Sequence, residues 1–185
     1  MSLEDILNTI RRELEIDLSI DSLVHVGANV GQEAAAYETA GYEGYHLEAM
    51  PREFIQLEDH CAGFPGQTAI NACCDARPGV AVEFNVTSNS QSSSLLELGR
   101  HAIAYPNVEL VEKIELRTTS LDQLVAEKRI PADPSFLVLD VQGAEARVLE
   151  GGTSLLQSSK LWGIISEVSL EGTSIFDCCR DDRAI

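Results

Sequence analysis

The sequence predicts a doubly wound α/β fold built around a mostly parallel sheet. Apolar runs of strand length alternate with helical patterns along the whole chain, which is the rhythm of this fold class. The run 135–141, SFLVLDV, is continuously apolar up to its Asp, as is typical of a central parallel strand covered on both faces. A glycine turn, 27-GANVG-31, directly follows the first strand-like run. The length of 185 residues fits one domain.

The first half of the chain predicts three strands with two helices between them. Gly41 is placed to end the first helix, and Pro51 stands at the first position of the second, where helices tolerate it. The predicted elements are strand 22–27, helix 32–40, strand 44–49, helix 51–61 and strand 67–74.

The second half begins with two segments, 80–86 and 108–116, in which apolar and polar residues alternate. This alternation predicts half-exposed strands, and we expect the Ser/Asn-rich segment 87–94 to be a loop over a site. Ser120 and Gln123 form a capping box that predicts a helix start. The remaining predicted elements are helix 121–128, strand 135–141, a helix interrupted at Gly151-Gly152, and strand 162–168.

Three regions are predicted from this pattern. Residues 1–20 form an amphipathic helix, because the apolar side chains of its first sixteen residues fall on one face. Residues 21–170 form the domain, and residues 171–185 are an atypical or truncated C-terminal tail.

Composition limits the partners and the location. The chain has 13 Lys and Arg against 30 Asp and Glu, a formal charge of −17, which disfavours nucleic acid and anionic membranes as partners. No apolar run approaches the roughly 20 residues of a membrane-spanning helix, and the N-terminus lacks an apolar signal core, so we expect a cytoplasmic protein. Five cysteines without such a signal indicate reduced thiols, and the adjacent pairs are poor zinc ligands, so no metal site is predicted.

Acidic residues end three of the predicted strands: Glu48, Asp140 and Glu167. In doubly wound sheets the ligand lies at the carboxyl ends of the strands, where the strand order reverses. We therefore expect these carboxylates and the glycine turn to line one crevice. Gly27 and Gly31 would let the backbone pass close to a ligand there.

The spacing of the turn narrows the choice of cofactor. It reads G-x-x-x-G, with Asn29 at its centre, and matches neither the G-x-G-x-x-G of dinucleotide enzymes nor a phosphate-binding P-loop. Glu48 lies seventeen residues after Gly31, where a carboxylate can accept hydrogen bonds from both hydroxyls of an unphosphorylated ribose. The two features together indicate an adenosyl cofactor without a pyrophosphate, which is S-adenosyl-L-methionine. A dehydrogenase that uses NAD is the alternative, and the missing G-x-G-x-x-G disfavours it.

Six segments in order resemble the FkbM family of methyltransferases: HVGANVGQE, HLEAMP, NACCDA, SSSLLELGRH, TTSLDQL and LVLDVQGAEARVLEGG. The resemblance covers about residues 20–170, and its strongest element is the run from Asp140 to Glu145. It implies a doubly wound, Rossmann-like class I methyltransferase sheet and transfer of a methyl group to a hydroxyl. The implied acceptors are small molecules related to sugars, lipids or polyketides, and the sequence does not choose among them.

The resemblance also implies roles for individual residues. The glycine turn would hold the methionine part of the cofactor, the end of the second strand its ribose, and the end of the third its adenine. The loop Ser92-Ser93-Ser94 would close over the site. The expected cofactor-binding residues are Gly27, Ala28, Asn29, Gly31, Glu48, Ala49, Asn71, Ala72, Cys73, Asp140 and Gln142.

A hydroxyl acceptor benefits from a general base, and five residues are candidates: Asp140, Glu145, Glu167, His101 and His46. We favour Asp140 for its position, with Glu145 second, although an Asp pKa of about 4 suits a base only when burial raises it. Asp140 is also a candidate helix N-cap or cation ligand, and Glu145 a first-turn helix charge. His25, within the first strand, is interpreted as a hydrogen-bonded core histidine.

The C-terminal segment departs from the family pattern. The resemblance implies further strands after 162–168, and 168-VSLEGTSIFDCCRDDRAI-185 does not supply them. If the strand 162–168 is left uncovered, it would be a sheet edge that can pair with a second copy, which predicts a homodimer. A cofactor-binding protein without turnover is therefore a further alternative.

Overall fold

The computed structural model describes residues 20–99 and 105–166, together with Thr9, Arg12, Glu13 and Ile103. The expected N-terminal helix lies mostly outside the described residues, and the tail 171–185 lies wholly outside them. Within this part of the chain the strands are β1 (Ser22–Val26), β2 (Glu43–Glu48), β3 (Gln67–Asn71), β4 (Cys73–Cys74), β5 (Ala81–Thr87), β6 (Leu110–Thr119), β7 (Phe136–Leu139) and β8 (Gly163–Ser166). The α-helices are α1 (Ala34–Ala40), α2 (Pro51–Cys61), α3 (Leu121–Ala126) and α4 (Glu145–Glu150).

A parallel sheet in the order β3-β2-β1-β7-β8 forms the centre of the described fold. The strand order reverses between β1 and β7, so the doubly wound α/β class predicted from the sequence is confirmed. Every residue of β1 is buried, as expected for a central strand covered by layers on both faces. β8 lies at one edge among the described strands, and its pairing with a second copy stays a prediction.

The main core fills the space between this sheet and the helices α3 and α4. Its central side chains are fully buried, and they come from strands as well as from α3: Val24, Leu47, Leu137, Leu121 and Leu124. An ion pair between Arg147 of α4 and the buried Asp75, just after β4, joins this helical layer to the segment that follows β4. Arg147 Nε lies 2.7 Å from Asp75 Oδ1.

The predicted third strand, 67–74, is wrong as one continuous element. β3 pairs with β2 only as far as Asn71, because β2 ends at Glu48 and the chain then turns into α2. Cys73 and Cys74 pair instead with Thr118 and Thr119 of β6. β4, β6 and β5 therefore form a second sheet, in which β5 and β6 are antiparallel and form a two-stranded ribbon.

Local signals explain most helix boundaries. Pro51 opens α2, and Gly41 ends α1 with a left-handed φ of 79°. Half of the expected capping box is present, since Ser120 Oγ accepts from Gln123 N at 3.1 Å, while the Gln123 side chain donates to Glu127. α3 ends at Ala126, earlier than the predicted 128, because the backbone of Lys128 turns left-handed at φ 58°.

Candidate functional site

A cleft opens at the carboxyl ends of β1, β2 and β7, where the strand order reverses. This is the position expected for a ligand site in a doubly wound sheet. The loop between β5 and β6 closes one side of it. The predicted cofactor residues that line the cleft are Gly27, Ala28, Asn29, Glu48, Ala49, Ala72, Cys73, Asp140 and Gln142.

The glycine turn passes directly against the end of β7. Gly27 has a φ of 86°, and a Cβ added to it would lie 1.9 Å from the carbonyl oxygen of Asp140. The N–H groups of Gly27 and Ala28 donate to the carbonyl of Leu47 at 2.9 and 3.0 Å, which ties the turn to β2 as well. A residue with a side chain would therefore displace the turn from both neighbours.

Gly31 does not line the cleft, although it was expected to contact the cofactor. Its φ is 79°, and an added Cβ would lie 2.7 Å from Leu57 Cδ1 on α2. Because Gly31 has no side chain, the segment before α1 can pack against α2. Gly31 therefore helps to set the shape of the turn.

Glu48 is a buried carboxylate at the centre of the cleft wall, only 4% exposed. Its Oε2 accepts from Asn29 N at 2.9 Å and its Oε1 from Met50 N at 2.8 Å. Burial raises the pKa of Glu48 to about 7, and the backbone N–H groups of Met50, Asn29 and Ala49 oppose that rise. Each oxygen has a second lone pair, so the carboxylate can accept two further hydrogen bonds.

Asp140 and Gln142, after β7, form the edge of the cleft that faces Glu48 and Asn29. These two edges are called the lips of the cleft. Gln142 has a left-handed φ of 54°, and its Nε2 donates to Asp140 Oδ1 at 2.5 Å. Partial desolvation raises the pKa of Asp140, and the Gln142 bond opposes this. Glu33, at the start of α1, also lines the cleft; desolvation raises its pKa, and the charge of Asp140 adds to the rise.

Glu145, the second candidate base, is not among the residues that line the cleft. Its Oε1 accepts from Val141 N at 3.0 Å and from Gly143 N at 3.2 Å. These bonds hold the turn that carries Asp140 and Gln142. A catalytic role for Glu145 stays a prediction, and the geometry favours a positioning role.

The loop between β5 and β6 is attached to both lips of the cleft. Asn29 Nδ2 donates to Ser90 Oγ at 3.0 Å, and Ser94 Oγ donates to the carbonyl of Gln142 at 2.9 Å. The expected serine loop does lie over the cleft. Its lining residues are Ser90, Gln91 and Ser93, so the contact begins earlier in the loop than the expected Ser92–Ser94.

The far wall of the cleft is apolar and comes from several elements. Met50, Cys73 and Phe84 are buried together in one hydrophobic cluster and line the cleft with Leu95. Burial raises the pKa of the Cys73 thiol to about 12, so it remains protonated at neutral pH. Such a wall suits a flat apolar ring.

Asn71 does not line this wall. Its side-chain amide donates to the carbonyls of Glu48 and Ala49, at 2.8 and 3.2 Å. Asn71 therefore holds the end of β2 in place, and its contact with the cofactor stays a prediction.

Comparison with known proteins identifies the family of this chain. The family model described as Methyltransferase FkbM domain matches residues 25–177. The chain belongs to the FkbM methyltransferase family. It is 26% identical over 155 residues to the hexuronic acid methyltransferase AglP of Haloferax volcanii, a match that covers 84% of this chain and spans 58% of the length of that relative. The structure of the glycopeptide N-methyltransferase MtfA is 12% identical, over 67% of this chain and 84% of that one, with a TM-score of 0.28, at which the likeness supports no conclusion.

His46 is wrong as a candidate general base of this FkbM domain. It is fully buried, its Nε2 is bonded to Gln67 Oε1 at 2.9 Å, and it is absent from the cleft wall. Burial also lowers its pKa. The two other candidates, His101 and Glu167, lie outside the described residues.

His25 is a core histidine, as predicted, and it also lines the back of the cleft. Its Nδ1 lies 3.4 Å from the hydroxyl of Tyr37. Burial lowers the pKa of His25 to about 3, and the nearby His46 adds to the effect, so His25 is neutral around pH 7.

The described lining of the cleft is acidic. Among the described residues that line it are the carboxylates of Glu33, Glu48 and Asp140, and no Lys or Arg. No group of three or more His, Cys, Asp or Glu side chains in the described ranges could hold a metal ion. Likewise, no helix described here is long and apolar enough to cross a membrane, and the predicted cytoplasmic location stays a prediction.

Sequence reasoning did not place several lining residues in the site. Glu33 could have been predicted from the sequence, since it opens the helix after the glycine turn. Phe84 lies outside the six segments that resemble the family. Other lining residues lie within those segments but were assigned no role: Val26, Gln32, Met50, Cys74, Leu95, Val141 and Ala144.

The close approach at Gly27 predicts a large effect of Gly27→Ala on stability. Gly41 provides the matched control, because its φ of 79° is left-handed like that of Gly27 but an added Cβ would meet nothing within 4 Å. We expect Gly41→Ala to cost about 1–2 kcal/mol, the left-handed backbone penalty alone, and Gly27→Ala to cost clearly more. Urea unfolding of both variants measures this, and equal losses would contradict the close approach.

The raised pKa of Glu48 predicts a pH-dependent effect of Glu48→Gln. A carboxylic acid whose pKa is higher when folded favours folding fully below about pH 4.5, and that contribution is lost as the pH rises through about 7. The unfolding free energy of Glu48→Gln relative to wild type should therefore increase between pH 4.5 and 7.5, by at most about 3 kcal/mol. Chemical denaturation across this range measures it, with Glu58→Gln on the exposed face of α2 as the control. A difference independent of pH would show that the carboxyl is not perturbed.

Proposed function

We propose that this chain is an S-adenosyl-L-methionine-dependent methyltransferase that methylates a hydroxyl group of a small molecule. The observation that carries the proposal is the buried carboxylate of Glu48, which lines a cleft at the strand-order reversal and has lone pairs left to accept hydrogen bonds. Membership of the FkbM family supports the reaction class.

The residues present fit this cofactor. Glu48 would accept from the ribose hydroxyls, and the apolar wall of Met50, Cys73 and Phe84 would hold the adenine. The acidic lip of Glu33 and Asp140 favours the positively charged methionine end. Gly27, Ala28 and Asn29 would bring the backbone against it.

The cofactor, when bound, supplies an electrophilic methyl group: the bond from carbon to the acceptor oxygen forms as the bond from carbon to sulfur breaks, which leaves S-adenosylhomocysteine. The protein must align the acceptor, an effect that can reach roughly 7–11 kcal/mol in favourable cases. It must also take up the hydroxyl proton. We assign this role to Asp140, which lines the cleft and whose pKa is raised by desolvation toward a value that suits a base.

A carbohydrate acceptor is supported by the relative AglP, whose name specifies hexuronic acid as its substrate. The match spans 58% of that protein, so the support is for a sugar-related acceptor as a class.

An NAD-dependent oxidoreductase is the weaker alternative. A pyrophosphate carries two negative charges, and the described lining of the cleft offers three carboxylates and no Lys or Arg to balance them. A cofactor-binding protein without turnover is the other alternative. A labelled methyl donor tested with a panel of hydroxyl compounds separates it from an active enzyme.

Thermal stabilisation by S-adenosylhomocysteine tests the cofactor assignment. At 100 times its dissociation constant, a ligand adds about 2.7 kcal/mol to the unfolding free energy. We expect a clear rise in Tm for wild type and for the control Glu58→Gln. Glu48→Gln should show a much smaller rise, because its amide nitrogen cannot accept a hydrogen bond.

Two results would contradict the assignment. One is the absence of a shift for wild type, and the other is an equal shift for Glu48→Gln. Stabilisation by NAD but not by S-adenosylhomocysteine would favour the oxidoreductase.

A further inference from the structure

A second concavity, here called the ribbon groove, lies between the start of α2 and the β5–β6 ribbon. Met50 and Ser90 line both this groove and the cleft, so the two are adjacent. Ser90 Oγ accepts from Asn29 of the glycine turn, which places the junction beside the expected methionine end of the cofactor. The groove is lined by Met50, Pro51, Arg52, Glu53, Gln56, Val86, Thr87, Ser88, Ser90, Val111, Glu112, Ile114, Glu115 and Leu116.

One wall of the ribbon groove is apolar. Phe84 pairs with Ile114 and Val82 with Leu116, so these side chains share the inner face of the ribbon, and Ile114 and Leu116 reach the groove. Val111 adds an apolar side chain that is 62% exposed at the tip of β6. Exposed apolar surface beside a polar rim is typical of a binding surface.

The remainder of the lining is acidic and rich in hydroxyl groups. Glu53, Glu112 and Glu115 contribute carboxylates, and none of them takes part in an ion pair within the described ranges. Arg52 is the one basic residue in the described lining. The charge of Glu53 reaches the cleft as well, since it is one of the causes that raise the pKa of Glu48.

This combination favours one kind of ligand. Carboxylates accept hydrogen bonds and donate none at neutral pH, so they bind hydroxyl groups of a polyol. The same charges repel carboxylates and phosphates. The apolar wall adds affinity for an alkyl or aryl portion.

We propose that the ribbon groove binds the methyl acceptor, and that this acceptor is an uncharged polyhydroxyl compound with an apolar portion, such as an alkyl glycoside. The inference rests on the proposed methyltransferase function and narrows its substrate class. Hydroxyl groups donate to Glu53 and Glu112, the apolar portion lies on Ile114 and Leu116, and one hydroxyl extends past Ser90 into the cleft.

Two probes that differ in a single group test the proposal: hexyl β-D-glucoside and hexyl β-D-glucuronide. Binding to the full chain is measured by titration calorimetry in the presence of S-adenosylhomocysteine, whose own binding is measured on the same sample. We expect the glucoside to bind at least about tenfold more tightly than the glucuronide, because the latter adds a carboxylate to an acidic groove.

Glu53→Gln and Glu112→Gln should each weaken glucoside binding about fivefold, since a hydrogen bond to a charged acceptor is stronger than one to a neutral acceptor. They should also reduce the preference over the glucuronide. Glu109→Gln is the matched control, because it removes one charge just outside the groove and should leave both affinities unchanged. The Tm of each variant verifies folding.

Equal or tighter binding of the glucuronide, no binding of either glycoside, or no effect of Glu53→Gln and Glu112→Gln would overturn the proposal. Binding of S-adenosylhomocysteine without any glycoside binding contradicts the ribbon groove alone. Glycoside binding without binding of S-adenosylhomocysteine contradicts the proposed cofactor and leaves the groove as a glycoside site.

Discussion

The turn after β1 passes so close to the end of β7 that it has room for a hydrogen atom but not for a methyl group. This approach of Gly27 to the Asp140 carbonyl sets the positions of both cleft lips. It lets the N–H groups of Gly27 and Ala28 reach the carbonyl of Leu47, and it brings Asn29 N within 2.9 Å of Glu48. The serine loop then attaches to the two lips through Asn29 and Gln142. The shape of the cleft thus depends on Gly27, which has no side chain.

Burying the carboxylate of Glu48 in the cleft wall is energetically unfavourable. Hydrogen bonds from backbone N–H groups offset only part of that cost, as the raised pKa of Glu48 indicates. A buried group that is incompletely compensated, at the strand ends of a doubly wound sheet, is typical of a functional site. Binding of hydroxyl donors would supply the missing hydrogen bonds, which is why the proposed cofactor role rests on Glu48.

The sequence predicted those features whose cause is local. Apolar runs placed the strands, Pro51 and Gly41 placed helix boundaries, and the motif residues around Gly27, Glu48 and Asp140 fall at one cleft. It did not predict that pairing with β2 ends at Asn71. Residues 67–74 therefore divide into two strands that pair with different neighbours. Nor did it predict the apolar wall or the ribbon groove, because residues such as Phe84 and Ile114 reach them only through the folding of the ribbon over the sheet.

The most direct test of the proposed cofactor site is whether Glu48 recognises the two ribose hydroxyls. Titration calorimetry should compare S-adenosylhomocysteine with its 2′,3′-dideoxy analogue, for wild type and for Glu48→Gln. If Glu48 binds the ribose hydroxyls, their loss should weaken binding to wild type by at least about tenfold, and binding to the variant by much less. An equal loss of affinity for the two proteins would contradict it, because the hydroxyls would then be bound elsewhere.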